Sequence, residues 1–253
     1  RDWGLDYEVV WPNFGADAHE LVGVMDTAGI DKSVLLPLDY GRVEEPRIGF
    51  REYNRWVFES AQEFEDRIVP FVGIDPVRRG SSEFVEEQVR RWNAQGVKIS
   101  PATGFYPYEE GLNGFWEAME DLGVLVVSHT GAAWGPFEEG YCHPEYFRSV
   151  VEEHPSLRIV LAHLGGKWRE EAFRLAEEFE NVYADCSALQ GWLPSQPEMA
   201  EQRLDEVADR IPDKVLFGTD WPIFELAYTS RKWVEFVRER PWGSEETKEK
   251  ILQ

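Results

Sequence analysis

The chain has 253 residues, 43% of them apolar, and includes 11 Trp and 15 Phe. This length and apolar content suit one large folded core and exclude a disordered protein. The 26 basic and 48 acidic residues give a formal net charge of −22, which repels phosphate backbones and anionic lipids. We therefore expect neither nucleic acid nor a membrane as a partner.

The cysteine count and the apolar pattern indicate the cellular compartment. Cys142 and Cys186 are the only cysteines, which is too few for a disulfide framework. No apolar run approaches the roughly 18 residues of a membrane-spanning helix. The charged first residues do not resemble a signal peptide. These features predict a cytoplasmic protein.

Apolar strands alternate with amphipathic helices along the whole chain. Strands are predicted to start near residues 33, 68, 97, 125, 159, 182 and 215. Helices are predicted over residues 17–29, 50–66, 81–95, 112–122, 146–153, 172–179, 198–211, 230–239 and 245–253. A helix between each pair of strands is typical of consecutive βαβ units and a parallel sheet.

This alternation predicts an α/β fold, a TIM-type (β/α)₈ barrel in a single domain over residues 1–253. A closed barrel of this type needs eight strands, and the pattern provides seven. The first strand is therefore supplied by residues 7–11 or lies upstream of Arg1. We expect the sequence to be clipped at both ends of the domain.

Three of the predicted strands end in a polar residue followed closely by glycine or proline. His129 follows the run Val-Leu-Val-Val-Ser, His163 follows Ile-Val-Leu-Ala, and Asp220 follows Val-Leu-Phe-Gly-Thr. In an α/β barrel the carboxyl ends of the strands form the rim that carries the active site. One histidine at a strand end is commonly a hydrogen-bonded structural group. Two imidazoles and a carboxylate at one rim predict a metal or acid–base site.

Four segments of the chain carry a family resemblance. Residues 96–99, 128–131, 161–166 and 216–222 resemble, in order and spacing, the amidohydrolase-related proteins of the metal-dependent hydrolase superfamily. The similar branch includes aminocarboxymuconate-semialdehyde decarboxylase. The resemblance implies one divalent metal, zinc or alternatively manganese, held by a His-x-His pair on the first strand together with His129 and Asp220. It also implies an acid–base or polarising role for His163.

The chain departs from this pattern at the His-x-His pair. The only histidine before His129 is His19, which falls in the first predicted helix. The simplest account is that the pair precedes Arg1.

The resemblance implies a hydrolase that acts on a small carboxylated or cyclic compound, aromatic ones included, through a metal-activated water. Asp220 would ligate the metal and accept the proton, and His163 would stabilise the developing charge. The alternative is a metal-dependent non-oxidative decarboxylase that uses the same site. A third possibility is a catalytically degenerate binding or scaffold barrel, if the His-x-His pair is truly absent. Relatives are often dimers, so the resemblance also implies a homodimer.

The loops after the strands suggest how a small-molecule substrate is bound. Trp134, Trp168 and Trp221 closely follow the strands of His129, His163 and Asp220, and Lys98 lies at the end of the fourth strand. Tryptophans in a barrel commonly pack in the core, but an aromatic wall with a few polar groups is typical of a ligand pocket. Binuclear superfamily members carry a carbamylated lysine at the fourth strand. Mononuclear ones do not, which favours Lys98 as a cation for a substrate carboxylate or a nearby acid.

Overall fold

The computed structural model describes residues 16–41, 43, 47–225 and 228–252. Contacts between Cα atoms divide the chain into two compact units. The central unit consists of residues 34–184, and the terminal unit combines the residues up to 33 with those from 185 onward. That the whole chain forms a single domain stays a prediction.

The central unit is built on a parallel sheet whose strands pair in chain order. These strands are β3 (Val72–Gly73), β4 (Gly96–Ile99), β5 (Leu125–Ser128), β6 (Ile159–Leu161) and β7 (Val182–Asp185). The pairing aligns Val97 with Val126 and Val126 with Ile159, and all three side chains are buried. The strands of a parallel sheet are covered on both faces, so side chains on both faces are buried. This explains the continuous apolar runs in the sequence.

The predicted strand near residue 68 is divided into two short strands. β1 (Ser33–Leu35) pairs with β2 (Ile68–Pro70), whereas β3 pairs with β4. Phe71 lies between them, and its N–H donates to the carbonyl of Leu35 over 2.9 Å. The strand breaks because its two halves pair with different neighbours.

The helices of the central unit agree with the predicted ones to within a few residues. They are α2 (Phe50–Gln62), α3 (Ser81–Trp92), α4 (Asn113–Leu122), α5 (Arg148–Glu153) and α6 (Arg169–Glu178). The buried Asn54 of α2 ties its helix to the sheet, because its side chain both donates to and accepts from the backbone of Gly73 over 2.8 Å.

The terminal unit contains four α-helices and one strand among the described residues. They are α1 (Ala18–Ala28), α7 (Pro197–Arg210), β8 (Val215–Leu216), α8 (Ser230–Glu239) and α9 (Glu245–Leu252). α1 packs against α8, whose Trp233 is completely buried. The candidate first strand at residues 7–11 lies outside the described residues. None of the helices in the described part of the chain is both long and apolar enough to cross a bilayer.

A side-chain pair connects α4 to the segment before β6. The carboxylate of Glu120 lies 3.0 Å from His154 Nδ1 and accepts the N–H of Ser156 over 2.8 Å. The hydrogen bond from Ser156, followed by the one from His154, lowers the pKa of Glu120 below its ordinary value. The ionised form of Glu120 therefore stabilises the fold.

This pair gives a prediction about stability and pH. Because the folded-state pKa of Glu120 is lowered, its contribution is present above the unfolded value of about 4.5 and is lost as the pH falls through the folded value. E120Q should melt at a lower temperature than wild type at pH 7, and the difference should shrink on acidification. E117Q changes an exposed glutamate of the same helix and is the control. Calorimetric melting across pH measures this, and a difference that grows below pH 4.5 would contradict it.

Candidate active site

His129 follows directly after β5 and is held there by two hydrogen bonds. Its backbone N–H donates to the carbonyl of Ile99 over 3.0 Å, which continues the pairing of β4 and β5 by one residue. Its ring Nε2 lies 2.8 Å from the carbonyl oxygen of Ala132. A carbonyl only accepts, so this hydrogen bond assigns the proton to Nε2 and the lone pair to Nδ1.

The surroundings of His129 keep its ring uncharged. Burial, then the charges of His163 and Lys98, lower the pKa of His129 well below its ordinary value, and the hydrogen bond to Ala132 only partly opposes them. The imidazole is therefore neutral at pH 7. Neutral imidazole with a defined lone pair is the form that binds a metal ion.

His163 lies beside His129, with the two ring centroids 5.1 Å apart at an interplanar angle of 67°. It follows β6 in a left-handed backbone conformation, with φ of 60°, and Leu164 has φ of 50°. Residues other than glycine seldom adopt this conformation, and it concentrates at functional sites because it is held at an energetic cost. These left-handed residues turn the backbone directly after β6, where the His163 ring lies.

The loops after β5 and β6 also come close together, at Gly131 and Gly166. A Cβ atom on Gly166 would lie 2.8 Å from Gly131 Cα, closer than such atoms are found in proteins. A side chain at this position would push apart the two loops that carry His129 and His163. The Gly165-Gly166 pair that follows His163 is explained by this close contact together with its positive φ angles.

Lys98 is buried near the end of β4, with 6% of its surface exposed. Its charge acts on His129, which places the ammonium group within electrostatic reach of the imidazole. The structure thus brings together three of the residues singled out in the sequence, two imidazoles and one buried cation. Their catalytic and binding roles stay predictions.

Aromatic side chains from three loops line the same end of the sheet. The ring of Trp168 lies 5.1 Å from that of His143, and Lys167 Nζ lies 4.5 Å from the Trp168 ring centroid. Tyr106 lies within 4.6–5.2 Å of three further rings, those of Tyr108, Tyr141 and Tyr146.

The sequence indicated only part of this aromatic group. Trp134 is partly buried in the loop after β5, and its role in substrate binding stays a prediction. His143, Tyr141 and Tyr146 were not singled out, because they follow His129 by 12 residues or more in an irregular loop. The length of that loop was the one feature of the sequence that could have indicated these three residues.

Asp220 and Trp221 belong to the terminal unit. Asp220 follows β8 by four residues and has φ of 48°, a second left-handed residue at a strand end. Trp221 is partly buried, and its backbone N–H donates to Thr219 Oγ1 over 3.3 Å. Its peptide bond to Pro222 is cis.

His129 and Asp220 each carry an atom of the kind that binds a metal ion. Neutral imidazole nitrogen and carboxylate oxygen are ligands that zinc and manganese accept. Within residues 16–41, 43, 47–225 and 228–252, no three His, Cys, Asp or Glu side chains gather closely enough to hold a metal ion.

The structure is similar to several solved structures, all of low sequence identity. An uncharacterised TIM-barrel protein of Bordetella bronchiseptica superposes with a TM-score of 0.76 at 22% identity, covering 94% of this chain and 80% of that protein. A 2,6-dihydroxybenzoate decarboxylase from Rhizobium gives 0.68 at 17% identity, with coverages of 93% and 85%. These likenesses confirm the predicted α/β TIM-barrel fold.

A third similar structure was determined with a metal. The 5-carboxyvanillate decarboxylase of Novosphingobium aromaticivorans, complexed with manganese and a nitrobenzoic acid derivative, gives a TM-score of 0.67 at 17% identity. The alignment covers 92% of this chain and 77% of that enzyme. No curated protein matches the sequence.

The amidohydrolase family model matches residues 31–253, nearly the whole chain. This match confirms the resemblance inferred from the four sequence segments and the prediction of an enzyme. The chain belongs to the amidohydrolase family.

Proposed function

We propose that the protein is a metal-dependent, non-oxidative decarboxylase of a small aromatic carboxylic acid. The observation that carries this proposal is the grouping of buried Lys98 with the neutral His129 and with His163, close in sequence to aromatic side chains. A buried cation suits a substrate carboxylate, and the aromatic loops suit a ring. Of the two activities expected from the sequence, the similar decarboxylases favour decarboxylation over hydrolysis.

We assign a separate task to each residue. Lys98 binds and orients the substrate's carboxylate, and Trp134, Trp168 and Trp221 enclose the ring. His129, through Nδ1, and Asp220 hold a divalent cation. When bound, that cation supplies positive charge that orients and polarises the substrate oxygens. The manganese of the similar enzyme favours manganese over the zinc expected first.

The reaction breaks the bond between the ring carbon and the carboxyl carbon. Carbon dioxide leaves, and the electron pair stays on the ring carbon, which then takes a proton. Asp220 delivers this proton, and His163 hydrogen-bonds the substrate and relays protons to and from the site, as imidazole can near neutral pH. No oxidant or reductant is required.

The substrate class is tested with the full-length protein loaded with Mn²⁺. We expect carbon dioxide to be released in equal amount to the decarboxylated phenol from 2,6-dihydroxybenzoate, 5-carboxyvanillate or a related hydroxybenzoic acid. Chelation of the metal should stop the release. Hydrolysis of a lactone or amide without carbon dioxide would favour the hydrolase alternative. Absence of both turnover and metal binding would favour the scaffold alternative.

D220N should reduce kcat by at least about 10³-fold, because an amide ligates weakly and cannot deliver the proton. Asparagine tolerates the left-handed backbone at this position, so the fold should persist. D121N, an exposed substitution on α4, is the control. Steady-state rates together with melting temperatures measure the effect. Retention of more than about a tenth of the activity would exclude Asp220 as the acid.

H163N should lower kcat by about 10²-fold and leave the metal content close to that of wild type, because His163 is assigned to proton transfer and not to ligation. The positive φ at residue 163 again suits asparagine. H19N, on the exposed face of α1, is the matched control. Metal analysis beside kinetics separates the roles. If H163N loses the metal as completely as H129N does, His163 is a ligand.

A further inference from the structure

The backbone just before Asp220 is held by two side-chain donors of the terminal unit. β8 ends at Leu216, so the next carbonyls continue no described strand. Trp233 Nε1 donates to the carbonyl of Gly218 over 3.0 Å. Gln190 Nε2 donates to the carbonyl of Thr219 in a short hydrogen bond. The position of Asp220 therefore depends on groups distant in sequence.

Gln190 is the more informative of these two donors. It lies in the tight turn Leu189–Trp192 and retains only 1% exposure. Its Oε1 is buried and has no hydrogen-bond partner among the described residues. Within the described part of the chain, the one hydrogen bond of this side chain is therefore its donation to the carbonyl of Thr219, the residue next to Asp220.

The segment held by Gln190 has little freedom to move. A Cβ atom on Gly218 would lie 2.8 Å from Ser187 Cβ, so the backbone before Asp220 packs directly on the segment that leads to Gln190. Asp220 itself has φ of 48°. Aspartate adopts this conformation more readily than most residues do, and a change of φ away from it would turn the carboxylate.

We propose that Gln190 is a positioning residue for Asp220, which orients the carboxylate to bind a divalent cation. The inference rests on the metal-binding role proposed for Asp220. Gln190 acts through the carbonyl of Thr219 and does not touch the cation. Residues that orient a metal ligand from outside the coordination sphere typically change metal affinity by about 10- to 100-fold when they are replaced.

The test is Mn²⁺ binding by Q190M in the full-length protein. Methionine keeps the length of the side chain and removes the donor to Thr219 together with the unpaired Oε1. We expect the Kd for Mn²⁺ to rise about 10- to 100-fold. The melting temperature without metal should stay close to that of the control Q202M, an exposed glutamine of α7 that donates to Glu206. Titration followed by the paramagnetic resonance of free Mn²⁺ gives Kd without any substrate.

Other outcomes separate the two proposals. Equal Kd values for Q190M and Q202M would overturn the positioning role. A lowered melting temperature with unchanged Kd would also overturn it, because Gln190 would then be purely structural. If Q190M does not fold, Q190L, which also removes the donor to Thr219 and adds no charge, should show the same rise in Kd. Failure of the wild-type protein to bind Mn²⁺ would overturn the proposed function, and this inference with it.

Discussion

The candidate site depends on the parallel register of β4, β5 and β6. This register pairs Ile99 with Ser128 and Ser128 with Leu161, so the three strands reach the same edge of the sheet together. The hydrogen bond from His129 N–H to the carbonyl of Ile99 carries the pairing one residue beyond β5. A slip by one residue would turn each strand's side chains to the opposite face and separate the imidazoles.

Electrostatics then determine what these neighbours can do. Burial, a second imidazole and a lysine all disfavour a proton on His129, so the ring is held neutral. Its Nε2–H donates to the carbonyl of Ala132, which leaves the lone pair of Nδ1 as the ring's means of binding a metal ion. In the proposed decarboxylation, the same lysine would offer its positive charge to the substrate's carboxylate. One arrangement would then serve both metal binding and substrate binding.

Much of this arrangement could be predicted from the sequence, because it depends on local patterns. The buried runs before His129 and His163 predicted their strands, and α8 has the predicted bounds, 230–239. The division between β2 and β3 could not be predicted, since it depends on which strands pair with each half. Gln190 was also missed, because its partner Thr219 is 29 residues away and no spacing rule connects them. Tyr141 and Tyr146 lie in an irregular loop, and their contacts with Tyr106 come only from folding.

The backbone conformation is the feature least visible in the sequence. Glycine after His163 indicated a turn, but the left-handed conformation falls on His163 and Leu164 as well as on the glycines. Asp220, which follows another strand, also has a left-handed backbone conformation. In both cases the catalytic candidate itself adopts the unusual conformation, which is the distribution expected where neighbouring groups hold a functional side chain in place.

The most direct test of this account is the crystal structure of the full-length protein with Mn²⁺, using anomalous scattering to locate the metal. We expect one metal peak at a bond distance of about 2.2 Å from both His129 Nδ1 and the carboxylate of Asp220, with His163 outside the coordination sphere. A peak that contacts His129 through Nε2, or that lies away from His129 and Asp220, would contradict the account.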